Sequence, residues 1–293
     1  MHPLRVWLLA IRPKTLPAAV APVILGTAVA AHLEGFALGP AAAALLGALM
    51  LQIASNLAND IFDSEKGADQ PDRLGPTRVV SSGLLSVREV LIGLCVVVFV
   101  AVCAGAYLVG VAGPTIAVVG IVAALSAIAY TAGPFPLGYH GLGELFVFVF
   151  FGPVAVAGTA FVQLGFLPSV VWYAGVSQGA LAANILVVNN LRDIEQDNRA
   201  GKRTLAVRFG ERFCLAQYAT LLGVAYVMPI VLWLARDAHW SVLAPLLTLP
   251  IAYSTFTRIV RTRGRGLNAL LARTAQVMLM FSILFSLGLL VRM

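Results

Sequence analysis

The chain has 293 residues, 60% of them hydrophobic and 11% charged, with a mean hydropathy of +0.91. Soluble domains carry about a quarter charged residues, so a globule solvated by water is excluded. The apolar runs are long and do not alternate, which excludes a barrel and fits helices that satisfy their own backbone in lipid.

Taken in chain order, nine spans are expected, making an all-α polytopic membrane protein. Arg5 and Arg12-Pro13-Lys14 flank a short amphipathic stretch, and the first long span, Leu16–Leu33, begins only after them. This is not the layout of a cleaved signal peptide. Span two, Phe36–Ala58, runs into Asn56-Leu-Ala-Asn59-Asp60-Ile-Phe-Asp63, then a polar loop with Glu65, Lys66, Asp69, Asp72, Arg73 and Arg78. Spans three and four are Arg88–Val111 and Pro114–Ala132, with Tyr130 and Tyr139 flanking the end of the fourth. Span five, Gly143–Leu164, opens with Glu144. Span six, Ser169–Asn190, runs into Asn189-Asn190-Leu-Arg192-Asp193-Ile-Glu195-Gln-Asp197, then Arg199, Lys202 and Arg203. Phe213–Ala235, Trp240–Thr257 and Leu267–Leu290 complete the set. The two acidic motifs end spans that lie four apart. The chain therefore reads as two related four-helix units, approximately 1–132 and 143–257, with a ninth helix at 267–290. Cys95, Cys103 and Cys214 show neither ligand spacing nor a disulfide framework and read as small packing residues.

With the N-terminus inside, all but Arg236, Arg273 and Arg292 of the 20 basic residues fall on one side. That is a strong positive-inside pattern. It places the N-terminus and the motif-bearing loops at the cytoplasmic face of the cell inner membrane. It also accounts for the net charge of +7 without nucleic acid, since basic loops face anionic headgroups or an anionic substrate. The insertion rule does not govern acids, so their gathering on the same face needs a separate cause.

Helix geometry supplies one. Residues three and four apart share a face, so Asn56, Asp60 and Asp63 form one stripe, with Asn59 at its edge. Asn189, Asp193 and Asp197 form another. Two facing stripes of carboxylates and amides offer the hard oxygen donors that suit Mg²⁺, and no His or Cys joins them to favour zinc. Basic residues follow each stripe, and Arg78 and Lys202 are the preferred phosphate contacts. Cations and Mg²⁺ together can hold a diphosphate and neutralise its charge as it leaves. A transporter also uses intramembrane acids, but its sites lie near the midplane in broken helices. These acids sit at one face, on spans without a central Gly/Pro break.

Asn59-Asp-x-x-Asp63 and Asp193-x-x-x-Asp197, each ending a span, resemble the motifs of the UbiA superfamily of intramembrane prenyltransferases. Arg12-Pro-Lys-Thr-Leu-Pro17 is similar to that family's opening. Several stretches look like the branch that prenylates 1,4-dihydroxy-2-naphthoate in menaquinone synthesis. They are Asn59 through Asp69, Asp72-Arg-Leu-Gly-Pro76, Arg78-Val-Val-Ser-Ser-Gly83, Tyr130 through Tyr139, Gly143-Glu144, and Asn190 through Asp197 running into Gly201-Lys-Arg-Thr204. Many relatives place a third acid at the position of Gly67, and the next acid in this sequence is Asp69. Whether Asp69 or Glu65 completes the metal shell stays open.

The resemblance implies roles. Mg²⁺ bridges Asp60, Asp63, Asp193 and Asp197, with Asp69 a further candidate, to the diphosphate of a polyprenyl donor. Lys14, Arg73, Arg78 and Lys202 balance charge, and Asn56, Asn59, Asn189 and Asn190 line the substrate site. Tyr130 and Tyr139 form a lid that orients the aromatic ring or shields the allylic cation, and Glu144 contacts the acceptor or a cation. The ring attacks the cation and loses CO₂. Other acceptors of the superfamily, such as 4-hydroxybenzoate, homogentisate or haem, are the nearest alternatives, and an ion-coupled transporter is the more distant one.

Overall fold

The computed structural model of the protein describes residues 2–65, 74–131, 137–236 and 239–291; of residues 63, 65, 128–131 and 236 it describes the backbone. The described residues form helices and connecting turns, with no strand among them.

Helix α1, Pro3–Ile11, starts at a His2 cap and stops at Arg12, which takes a left-handed conformation (φ 55°). A single 3-10 turn leads to Pro17, whose missing N–H costs nothing in the first turn of α2, Pro17–His32. The α1 and α2 pair is bent by 52° at this elbow. α3, Leu38–Glu65, continues past the expected end at Ala58, so Asn59 through Asp63 are helical. α4, Val87–Ala112, opens on a capping box in which Ser86 Oγ accepts from Glu89 N (3.2 Å) and Glu89 Oε2 accepts from Ser86 N (2.8 Å). α5, Pro114–Thr131, follows a single glycine.

The fifth expected span is α6, Gly143–Val149, and α7, Ala155–Leu164, joined through a π-helical bulge at Phe150–Val154 that contains Pro153. Gly152 lies against α8, Val170–Arg199, where a Cβ would stand 2.5 Å from Gly175 O and 2.5 Å from Gly179 Cα. Gly152→Ala must therefore push two backbones apart. An overpacking cost of about 1–3 kcal/mol should appear as a lower melting temperature in detergent. An unchanged melt would show that the bulge relaxes freely.

α8 is 30 residues long and runs well beyond the expected end at Asn190, so Asp193 and Asp197 also lie within a helix. α9, Leu205–Arg236, is broken at Gly210 (φ 77°) and starts earlier than expected. A 3-10 stretch, Trp240–Thr248, leads into α10, Leu249–Arg261, and α11, Leu267–Leu290, ends the described fold.

Each expected span falls on a helical segment, but seven helices among the described residues are long and apolar enough to cross a bilayer alone, or eight with the bent α1–α2 pair as one span. The reason is length. α2 has 16 residues, which gives about 24 Å at helical rise against a hydrocarbon core of about 30 Å. The apolar stretch of α5, Pro114–Ala127, is shorter still.

α8 is the most enclosed of these spans and packs on α6, α9 and α11; α11 in turn packs on α2. Leu25, Leu181, Met278, Phe281 and Phe285 fill the core they share. Of the seven long helices α4 is the least enclosed, with Leu91, Ile92, Val96, Phe99 and Val102 exposed as expected of a lipid-facing wall.

Candidate functional site

A cavity of about 310 Å³ opens between the elbow, α3, α6 and α8. α8 changes character along it. Ala182, Ile185 and Leu186 are apolar wall, together with Val147, Phe151 and Leu271; Asn189, Asn190, Arg192, Asp193, Gln196 and Asp197 are polar wall. Ala182 and Asp197 stand about 22 Å apart at helical rise. The cavity is thus apolar at one end and charged at the other.

The charged end is held by explicit contacts. Arg192, buried, forks onto Asp193 with Nε to Oδ1 at 2.7 Å and Nη2 to Oδ2 at 2.5 Å. Lys202 Nζ lies 3.6 Å from Asp197 Oδ1, and its backbone N–H donates to Asp197 O at 2.8 Å. The same ammonium sits 5.0 Å over the Tyr139 ring. Arg203 N donates to Tyr139 O at 2.8 Å, which fastens the 137–142 loop to the chain after α8. Across the cavity stand Asn59, Arg78 and Arg12.

Of the residues singled out from sequence, the structure gathers Asn59, Arg78, Tyr139, Asn189, Asn190, Asp193, Asp197 and Lys202 around this cavity. It places others elsewhere. Asn56 is buried and donates to Ile11 O (2.8 Å) and Thr15 Oγ1 (3.0 Å), tying α3 to the elbow. Asp60, 1% exposed, accepts from Val79 N (3.2 Å) and Val80 N (3.0 Å), with Arg12 Nη2 at 3.8 Å. It anchors the turn that carries Arg78 and is not on the cavity wall. Glu144 stands behind Asn190, whose Nδ2 donates to its Oε1 at 3.0 Å. Lys14 is exposed and does not line the cavity, whereas Arg12 does. Arg273 donates to Thr255 Oγ1 at 3.1 Å and serves helix packing. Asp69 and Arg73 lie outside the described residues, as do the side chains of Asp63 and Tyr130. Arg12, Gln52, Arg192 and Gln196 are wall residues to which the motif reading gave no role at the site.

Among the described residues, no three of His, Cys, Asp and Glu come together as a metal cluster. The carboxylates and amides at the charged end nevertheless offer oxygen donors, which is the chemistry of a hard cation.

The UbiA prenyltransferase family model matches residues 19–291. The chain belongs to this family. Curated relatives named 1,4-dihydroxy-2-naphthoate octaprenyltransferase include one from Mycobacterium tuberculosis, 41% identical over 94% of this chain and 94% of its own. Another, from Haemophilus influenzae, is 37% identical over 98% of this chain and 96% of its own. Among solved structures, the apo UbiA homologue from Aeropyrum pernix matches with a TM-score of 0.72 at 17% identity, covering 94% of this chain and 97% of that one. A UbiA homologue from Archaeoglobus fulgidus, bound to GPP and Mg²⁺, matches with a TM-score of 0.67 at 18% identity, covering 97% and 99%. At those identities the structures establish the UbiA fold.

Proposed function

We propose that the protein transfers a polyprenyl group from polyprenyl diphosphate to 1,4-dihydroxy-2-naphthoate, releasing diphosphate and CO₂ and giving a demethylmenaquinone. The observation that carries this is a cavity charged at one end and apolar at the other, in a UbiA chain whose relatives are named for that acceptor. An amphiphile with an anionic head and an isoprenoid tail matches both ends.

In this reading Asp193 and Asp197 of α8, with Asn59 and Asp63 of α3, would hold Mg²⁺ at the diphosphate end of the cavity. The ion supplies charge neutralisation as the diphosphate leaves. Arg78, Arg12 and Lys202 face the same end and stabilise the departing charge. Val147, Phe151, Ile185 and Leu186 keep water from the allylic carbon while the electron-rich ring attacks. Tyr139 sets Lys202 over its ring face. Asp60 keeps Arg78 in place rather than meeting the metal, and Glu144 orients Asn190. Asp69, Arg73 and Tyr130 keep the roles the family resemblance implies. Nine crossings, the seven long helices plus α2 and α5, form two related four-helix units and a ninth helix. The basic loops put the charged end at the cytoplasmic face of the inner membrane.

The test is purified protein in lipid vesicles with dihydroxynaphthoate, a polyprenyl diphosphate and Mg²⁺. Prenylated quinol and diphosphate are expected in equal amounts. Neither appearing from folded protein would overturn the enzyme assignment. Product from 4-hydroxybenzoate but not from the naphthoate would overturn only the acceptor. Tyr139→Phe keeps the ring and should leave the donor KM near the parent value. Tyr139→Ala removes a cation–π contact of about 0.5–2 kcal/mol and should raise that KM between about twofold and thirtyfold. Equal behaviour of the two variants would remove Lys202's shelf from the account.

A further inference from the structure

Arg192 and Asp193 are neighbours in sequence on one helix, yet their side chains form a two-bond fork. Adjacent residues on a helix do not face each other. The guanidinium must therefore be bent out of its own direction and held there. Two further bonds do this. Nη2 donates to Asn189 Oδ1 at 2.9 Å, one turn back on α8, and Nη1 donates to Asn268 Oδ1 at 2.6 Å, in the first turn of α11. Asn268 is itself fixed from its other side, since Nδ2 donates to Leu74 O at 2.7 Å. Leu74 N returns to α8 through Gln196 Oε1 at 3.5 Å. The bonds close a cycle from α8 to α11 to Leu74 and back to α8. Arg192, Asp193 and Gln196 are on the cavity wall, and Asn268 is behind it.

We propose that Asn268 is a positioning residue for the diphosphate end of the cavity. Its amide oxygen fixes the plane of the Arg192 guanidinium, and that plane sets the direction of the Asp193 carboxylate. Arg192 suits the task because its planar fork is rigid, whereas a lysine ammonium in its place carries charge without direction. Asn268 acts on the anionic head of the donor and on its counter-cation, and leaves the aromatic acceptor untouched. The inference rests on the proposed reading of the charged end as a diphosphate site.

The experiment is a double-mutant cycle on the full chain. Asn268→Ala is expected to raise both the half-saturating Mg²⁺ concentration and the donor KM by about tenfold, the size of effect seen when partners behind a metal ligand are removed. The acceptor KM should stay within about twofold. Arg192→Lys should show a loss of the same kind, and the double variant should be no worse than Arg192→Lys alone, because coupled residues do not add. Additive losses, a fall in kcat with all three constants unchanged, or an equal rise in acceptor KM would each overturn the relay. Asn268→Ser, read by the same criteria, replaces the alanine variant if that variant does not yield monodisperse protein.

A second measurement does not depend on turnover. Calorimetric titration with inorganic diphosphate in Mg²⁺ should show weaker binding to Asn268→Ala than to the parent. Equal binding overturns the relay alone. A parent protein that binds diphosphate but makes no product overturns the proposed reaction alone, and one that binds none overturns both.

Discussion

Asp193→Asn is expected to lower diphosphate release by about a thousandfold or more, which corresponds to about 4 kcal/mol of lost transition-state stabilisation. A metal and its ligands supply several kcal/mol of this kind, and the amide removes one of the two negative charges that α8 brings to the cavity wall. The fold should tolerate the change. The new side chain keeps one oxygen for the Arg192 fork, and Arg192 retains Asn189 and Asn268. Asp193 is also partly exposed at 16%, so water can make good part of the loss. A diphosphate-release assay set beside a thermal melt in detergent decides the matter. Near-parent turnover would remove Asp193 from the diphosphate site, and collapse of the melt would make its role structural.

Asp60→Ala should give the opposite profile, with stability failing first. Both carboxylate oxygens accept backbone N–H groups, from Val79 and Val80, and Arg12 lies against one of them. Alanine strands two donors and leaves the Arg12 charge without this carboxylate. Breaking a buried pair costs about 3–5 kcal/mol, and each orphaned buried donor about 1–3 kcal/mol. A sharp loss of melting temperature is expected, with the remaining folded fraction poorly active because Arg78 has lost its anchor. A variant with a parent-like melt and no turnover would return Asp60 to the metal site.

The contrast between these two aspartates marks what the sequence could carry. Asp193 and Asp197 are legible because a four-residue step on a helix fixes a shared face wherever the helix lies. The same rule joins Asn56 to Asp60, but it cannot say what that face meets. In the fold it meets the elbow and the turn at 79–80, while Asn59, one residue earlier than Asp60, reaches the cavity. Arg12 has no periodic signature, because it lies between two helices in a left-handed conformation. Arg192 stood in a row of basic residues whose distribution already had an explanation in membrane insertion, and nothing local distinguishes a buried arginine from a headgroup-facing one. Gly152-Pro153 in a span of 22 residues leaves the expectation of a helix intact. Only the approach of Gly175 and Gly179 shows why the extra residue of the bulge is accommodated there. The helices themselves were readable almost throughout, since a long apolar run has few alternatives in lipid.

The cycle through Asn268 also has a consequence for the order of events in biosynthesis. Leu74 and Asn268 are 194 residues apart, and at about 5–20 residues per second the ribosome needs roughly 10–40 s to make that stretch. During that interval α3 and then α8 exist without the third anchor of Arg192. The clasp between His32 Nδ1 and Leu289 O, at 2.6 Å, forms later still. The newborn chain thus has its apolar wall, all but Leu271 of α11, before its charged end is set. In the proposed reading the diphosphate end is therefore the last part of the cavity to be organised, and turnover is expected only once α11 has docked on α8.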